Sequence, residues 1–349
     1  MPKQHHIPVS LIFNPNWWFH NAGISFDAPF YFDREARIRN DLVMRRVLYE
    51  RFGLGEQDPQ PRPIVGSRHV AGGFVIPALF GIEIRFSANE APWPVTLNLG
   101  DAEIMALEVP DIETTWPMDR LIADMDVLEH DFGYVMGDFD TDSVINTALQ
   151  LRGQQLFLDF FEKPELAHHL FDVVARTTAR VATYVKSRTG TSSVSTNRSI
   201  LQVDPAIYLH SNCSVQMVSP KTYEAFLLPY ERYMAEQLPP YGIHHCGNNL
   251  HRFAKAYAKV PAVFFDVGWG SDVAQCREAL PEAFLNLRLS PVRMLQQPAA
   301  EIRKDAEGLL RAVGSLEHIG LCCINMDAGT PDENVKALLE AAAISDLNQ

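Results

Sequence analysis

The sequence predicts an α/β chain closed into a (β/α)8 TIM barrel with an elaborated N-terminal part. Three observations predict it. Strand-like and helix-like segments alternate along the last third of the chain, as βαβ units on a parallel sheet require. The 349 residues suit one such barrel and show neither an internal repeat nor a linker, so 1–349 is expected to be a single domain. No GxGxxG turn supports the runner-up, an open doubly wound sheet.

The elements follow in order. "REARIRNDLVMRRVLYERFG" carries Ile38, Leu42 and Leu48 on one helical face and stops at Gly53. "PELAHHLFDVVARTTARVATYVKSRTG" reads as a long helix ending at Gly190. "DPAIYLHSNCS" puts Tyr208, His210 and Asn212 at alternate positions, so one strand face carries three polar groups. Such a face lines a cavity, or belongs to an edge strand facing water. Ser219 and Pro220 open the next helix. "YGIHH" is a strand, followed by a helix from about Leu250 to Ala258. "PAVFFDVG", "AFLNLRL" and "HIGLCCIN" are further strands. Between them lie the helices "DVAQCREAL", which Ser271 can cap, and "PAAEIRKDAEGLLRAV". The last helix opens with Thr330 as N-cap, Pro331 at the first helical position and Glu333 at the third, a capping box.

Composition narrows the function. A formal net charge of −13, with no offsetting basic run, disfavours nucleic acid and anionic membrane as partners. The N-terminus has no signal-peptide pattern, and no apolar run reaches the length of a membrane span. Five cysteines are too few and too scattered for a disulfide framework, so a reducing cytoplasm is expected.

In a barrel the C-terminal strand ends converge on one rim, where active sites form. His244, Cys246, Asp266, Arg288, Cys322 and Cys323 all fall near such ends. His244 and Cys246 share a strand face, while His245 points the other way. Adding Cys322 or Cys323 gives a His-x-Cys…Cys trio, and three ligands with one open position are the mark of a catalytic zinc. The plainer reading is that cysteines are small buried hydrophobes. Trp17 and Trp18, in "NPNWWFHNAG", line a pocket or cover the barrel's end. In "DVGWGSD", Asp266 is placed to orient a metal-bound His or hold substrate, Trp269 stands between glycines, and Asp272 suits a helix-capping turn. The acidic stretch "GDFDTD" reads as a solvated loop.

Together, "SPKTYEAFLLPY", "HHCGNN", "FDVGWGSD" and "TPDENVKALLEA" resemble the uroporphyrinogen decarboxylase superfamily, most strongly over about residues 200 to 345. "H-x-C-G-N" with a late Cys is similar to its zinc-dependent, cobamide-linked methyltransferase branch. The resemblance implies a (β/α)8 barrel with its site at the C-terminal strand ends. It implies Zn²⁺ on His244, Cys246 and either Cys323 or Cys322, Cys323 being favoured. It further implies a small-molecule methyl donor or acceptor and a corrinoid (cobalamin) brought by a partner protein. Pairing into a homodimer is compatible with it. Asp266, Trp269, Tyr208 and His210 are the expected surrounding shell, with Asn212, Trp17 and Trp18 as further substrate-binding candidates. The alternative is a metal-free decarboxylase or lyase on the same barrel. Against it, "WWFHNAGIS" lacks the arginines that the decarboxylases carry there for their acidic tetrapyrrole.

Overall fold

The computed structural model describes residues 7–66, 72–191 and 206–343. Strand β1 (Val9–Phe13) is followed by β2 (Ile64–Gly66) and a hairpin, β3 (Ile84–Ser87) and β4 (Glu90–Pro94). Then come β5 (Met136–Asp138), β6 (Tyr208–Asn212), β7 (Tyr241–His245), β8 (Ala262–Val267), β9 (Phe284–Arg288) and β10 (Ile319–Met326). Six of them form a parallel sheet in the order β1-β10-β9-β8-β7-β6, and β2 and β5 form a second parallel pair. The first strand lies beside the last, as in a barrel, the parallel strands curl round as a half-barrel, and β2 and β5 pair with each other as a separate two-stranded sheet. The fold is the expected (β/α)8 barrel.

The N-terminal elaboration is the β3–β4 hairpin with helices such as Arg34–Phe52 and Met118–Phe132. A buried ion pair joins those two helices, Arg37 Nη2 donating to Asp124 Oδ2 at 2.7 Å. Arg34 takes the other Asp124 oxygen at 2.8 Å, and charge-assisted, desolvated arginine–carboxylate contacts of this kind fix geometry. A second one, Arg62 on both oxygens of Asp41 at 2.6 and 2.7 Å, ties the segment before β2 to the same helix.

Most helix boundaries follow local rules. Gly53 and Gly190 end their helices in the left-handed region, at φ 67° and 71°. Ser219 caps its helix by accepting from Thr222 N at 3.0 Å. Of the two candidates for the cap of helix Val273–Ala279, Asp272 takes the capping role expected of it, accepting from the Gln275 amide at 3.0 Å, while the Ser271 hydroxyl is occupied by the Leu250 amide at 3.1 Å. Thr330 makes no capping box. Helix Asp332–Ala342 starts later, and the Thr330 amide instead closes a turn onto the Asp327 carbonyl. A short helix, Pro291–Gln296, capped by Ser290, was not expected from sequence.

The two faces of the sheet have different chemistry. Inside, Leu209 and Phe264 form a small separate apolar cluster with Ile207 and Phe284. Two residues further along the same strands, alternation puts Ser211, Asp266 and Asn286 on that inner face, with Gly242 leading to His244. An apolar floor therefore gives way to a polar layer toward the C-terminal strand ends. The outer face meets the helices. There His245 Nδ1 bonds the Tyr257 hydroxyl of helix Leu250–Tyr257 at 2.9 Å.

Tyr208, His210 and Asn212 lie on this outer face, not in the barrel. They surround Glu231 of helix Leu228–Gln237. His210 Nδ1 and Asn212 Nδ2 each reach a Glu231 oxygen at 2.7 Å, and the Tyr241 hydroxyl donates at 2.6 Å. The Val144 amide donates to His210 Nε2 at 3.2 Å, so Nε2 carries no proton and Nδ1–H donates to the carboxylate. Tyr208 bonds Thr141 at 2.8 Å. Alternation told that these residues share a face, but not which one. The structure gives neither the cavity lining nor the water-facing edge, but a buried polar lock between sheet and helix.

Burial raises the Glu231 pKa, but His210, Tyr241 and Asn212 outweigh it and hold the carboxyl below its usual range. A depressed pKa adds stability that is present above the unfolded carboxyl's value of about 4.3 and is lost as pH falls through the lower folded value. Glu231→Ala is expected to cost about 3–5 kcal/mol in urea unfolding at neutral pH, since it strands buried donors. Its difference from wild type should shrink below about pH 4. A change under about 0.5 kcal/mol would show that the lock contributes little.

Candidate metal centre

The Cys213, His244 and Cys246 donor atoms lie within 4.8 Å of one another, the grouping of three that could hold a metal among the described residues. The sheet explains their meeting. Asn212 pairs with His245 across adjacent strands β6 and β7, so Cys213 and Cys246 are the next residues on two neighbouring chains. His244 and Cys246 share the inner face, as alternation requires. Both thiols are half-buried, whereas the imidazole is fully buried.

His244 is oriented from behind. Its Nδ1 bonds Asp266 Oδ2 at 2.8 Å, and Asn286 Nδ2 donates to Asp266 Oδ1 at 2.8 Å. With Nδ1 held by the carboxylate, Nε2 is the nitrogen left for the thiol side. Carboxylate–histidine pairs of this form set tautomer and ring orientation in metal sites. Burial disfavours the imidazolium, but the bonds to Asp266 and Cys246 outweigh it and raise the His244 pKa.

The two thiols are shifted in opposite directions. The Cys246 thiol is pushed far below its ordinary value, first by the hydrogen bond from Cys213 and then by His244 and Arg288, against the effect of burial. Cys213 is pushed up correspondingly, by that same hydrogen bond and by burial. These shifts favour a thiolate at Cys246 over one at Cys213. Arg288, at the end of β9, is 5% exposed, and its Nη1 lies 3.3 Å from the Cys246 carbonyl oxygen.

The turn carrying these groups is tight. A Cβ on Gly268 would stand 1.8 Å from the Gly247 carbonyl oxygen, so only glycine lets β8 leave the sheet past the Cys246 turn. Trp269 follows in that turn, half-buried.

The remaining expected site residues fall elsewhere. Cys322 and Cys323 are fully buried in β10, their thiols against the carbonyls of Asn286 and Ile324 at 4.0 Å. Burial pushes Cys323 up to about 12 and Cys322 well above its ordinary value. Cys213, not either of them, completes the grouping. β6 is the immediate neighbour of β7, whereas β8 and β9 stand between β7 and β10. Trp17 and Trp18 are fully buried, in an aromatic stack with Phe13 and Phe52 under the Arg51 guanidinium. That is the covering role rather than the pocket.

Two functional candidates were missed in the sequence. Cys213 is one, and its signal was a cysteine just past a strand end, the same placement as Cys246. The other is the acidic loop after β5, which is not solvated. Asp138 is fully buried, and Asp140 and Asp142 are half-buried. Burial pushes Asp140 up to about 7 and Asp142 up to about 6, with the Asp142 charge adding to the Asp140 shift. Neither of the described cavities, of about 780 and 580 Å³, is lined by a member of the trio, so donor chemistry rather than cavity size marks the site.

A parallel barrel with two thiols and an imidazole gathered at its C-terminal strand ends has the layout of a barrel enzyme with a catalytic metal position. The chain belongs to the uroporphyrinogen decarboxylase (URO-D) family, whose model matches residues 71–344. No curated protein matches the sequence. Among solved structures it is similar to a methyltransferase from Methanosarcina mazei, at 15% identity and TM-score 0.68, covering 97% of this chain and 93% of that one. It is also similar to a B12-independent methionine synthase from Shewanella sp. W3-18-1 in complex with selenomethionine, at 10% identity and TM-score 0.51, covering 97% and 96%. At these identities the likeness is one of fold. No helix among the described residues is long and apolar enough to cross a membrane.

The lowered Cys246 pKa predicts thiol reactivity. In chelator-treated protein at pH 6, iodoacetamide should label Cys246 first, while Cys276, Cys322 and Cys323 stay protected until unfolding. Peptide mapping by mass spectrometry reads the order. Equal labelling of Cys246 and Cys323 in the folded protein would contradict the assignment.

Proposed function

We propose that the chain is a zinc-dependent methyltransferase whose metal is held by Cys213, His244 and Cys246. The observation that carries this reading is the convergence of those three donors within 4.8 Å at the barrel mouth. Two thiolates and an imidazole match the softness of Zn²⁺, and three protein ligands leave one position for substrate. When bound there, zinc would supply the Lewis acidity that turns a thiol into a thiolate at neutral pH or polarises a methyl donor.

The chain's own residues would do the rest. Asp266 and Asn286 keep His244 in one orientation. Arg288 places positive charge beside Cys246 and favours its thiolate. Cys213 would lose its proton on taking the metal, as a thiolate ligand must. The apolar floor of Leu209, Phe264 and Phe284 closes the barrel beneath the polar layer.

For the methyl carrier we favour a corrinoid on a partner protein, with a small molecule as the other methyl donor or acceptor. The "H-x-C-G-N" likeness to the cobamide-linked branch supports it. The Shewanella methionine synthase is B12-independent by its title, so the carrier needs a direct test, in which methyl transfer is measured with and without a methylated corrinoid. A metal-free decarboxylase leaves the trio without a role.

Elemental analysis should find about one zinc per chain, as an open three-ligand site requires. Cys213→Ala and Cys246→Ala should lose it, and Cys322→Ala and Cys323→Ala should keep it. Asp266→Asn should weaken zinc binding about 10- to 100-fold. Wild type without zinc would sink the reading. Loss of zinc with a β10 cysteine, and retention in Cys213→Ala, would move the third ligand back to β10.

A further inference from the structure

Cys213 differs from the other two donors in how it is held. His244 lies in β7 and Cys246 follows it directly, but Cys213 has left β6 and sits at φ −73°, ψ −45°, ahead of the short 3-10 helix Ser214–Met217. Strand pairing does not fix its direction. The two amides that flank its Cα do. The Cys213 amide donates back to the Ser211 carbonyl at 2.8 Å. The Ser214 amide donates to the side chain of Asn146, Oδ1, at 3.0 Å.

Asn146 comes from another unit of the barrel, the first turn of helix Val144–Arg152 after β5. Its own amide donates to the capping hydroxyl of Ser143 at 3.1 Å, and its Nδ2 donates to Asp142 Oδ1 at 2.6 Å. Asp142 is in turn locked. It sits in the left-handed region at φ 57°, unusual for a residue other than glycine, with its amide on Asp140 Oδ1 at 2.9 Å. The Asp140 Oδ2 atom accepts from the Gly72 amide at 3.0 Å. Gly73 closes the arrangement, since a Cβ there would stand 2.7 Å from the Asp142 Cβ. The acidic loop is thus a rigid bracket, and the Asn146 side chain carries it across to the turn bearing Cys213.

We propose that Asn146 is a positioning residue that sets Cys213 as the third metal donor, using both ends of its amide. Its donor end is anchored on Asp142 and its acceptor end holds the amide following Cys213. Removing it leaves β6 and β7 paired and His244 and Cys246 in place, but frees the Cys213 turn. This inference rests on the three-donor reading given above.

The test uses Co²⁺ as the probe metal in the full chain, titrated in competition with a chelator. It follows the thiolate-to-cobalt charge-transfer absorbance per bound ion, which scales with the number of thiolates. Wild type should show a two-thiolate intensity. Asn146→Ala should bind Co²⁺ about 10- to 100-fold more weakly, the range for loss of an outer partner of a metal ligand, and its intensity should fall toward that of Cys213→Ala. Asn146→Asp keeps an oxygen for the Ser214 amide but sets a second carboxylate oxygen against Asp142 in place of the Nδ2 donor, so it should also weaken Co²⁺ binding and lower the intensity. A purely structural role would lower stability without removing one thiolate's intensity. If Asn146→Ala does not fold, Asn146→Ser, too short to reach both partners, carries the same expectation. A two-thiolate wild type matched in affinity and intensity by the Asn146 variants overturns this inference alone. A wild type that takes up no Co²⁺ overturns the metal reading and this inference with it.

Discussion

Asp266 is a carboxylate placed inside a barrel, 0% exposed, where water cannot solvate it. A buried charge is costly unless hydrogen-bonded donors replace that water. Here His244 Nδ1 and Asn286 Nδ2 supply bonds at 2.8 Å, one from the strand on either side. The pairing depends on register. His244, Asp266 and Asn286 are direct partners across β7, β8 and β9, and a one-residue slip would turn every one of them to the helix layer. The requirement of one carboxylate therefore fixes three strands against each other. It also fixes the tautomer of His244, and through that the nitrogen presented at the mouth.

The outer face of the sheet repeats this device with a different purpose. Glu231 collects His210, Asn212 and Tyr241 from two strands and so pins β6 and β7 to helix Leu228–Gln237. β6 is where the two systems meet. Its outward residues serve Glu231, and the residue immediately beyond its end is Cys213. The end of β6 that leads into Cys213 is thus held by a carboxylate on the far side of the sheet, and the turn beyond it by Asn146.

This division explains what could be read from the sequence. Periodicity placed the last four strands and their helices, because apolar runs bounded by Pro261, Gly268 and similar breakers leave few alternatives. It also put His244 and Cys246 on one face, since a spacing of two does that in any strand. It could not choose between the two faces for Tyr208, His210 and Asn212, because alternation is symmetric about the sheet. Nor could it choose the third donor. In sequence Cys322 and Cys323 read as a strand end, whereas β10 runs on to Met326, and only the sheet order shows that the end of β6 adjoins Cys246. The acidic loop misled for a related reason. Charged residues near glycine look solvated in one dimension, whereas Gly72 and Gly73 bring backbone against Asp140 and Asp142.

The charges around the trio separate a metal position from a simple nucleophile. A nucleophilic cysteine works best with a base that takes its proton away from the sulfur. Cys246 instead keeps a second thiol within 4.8 Å, and the hydrogen bond that lowers its pKa also blunts it as an attacking group. The pair makes better sense when both protons leave. Two thiolates would then neutralise a divalent cation, while the negative Asp266 and the positive Arg288 on either side would balance each other. The resting site would carry no net charge despite its burial, and a substrate thiolate would be the first uncompensated anion to enter. A reaction that consumes that anion, as transfer of a cationic methyl equivalent onto sulfur does, would return the site to neutrality. On the zinc-methyltransferase reading proposed above, the charges at the barrel mouth therefore suit alkylation of a thiol, the step that removes that anion.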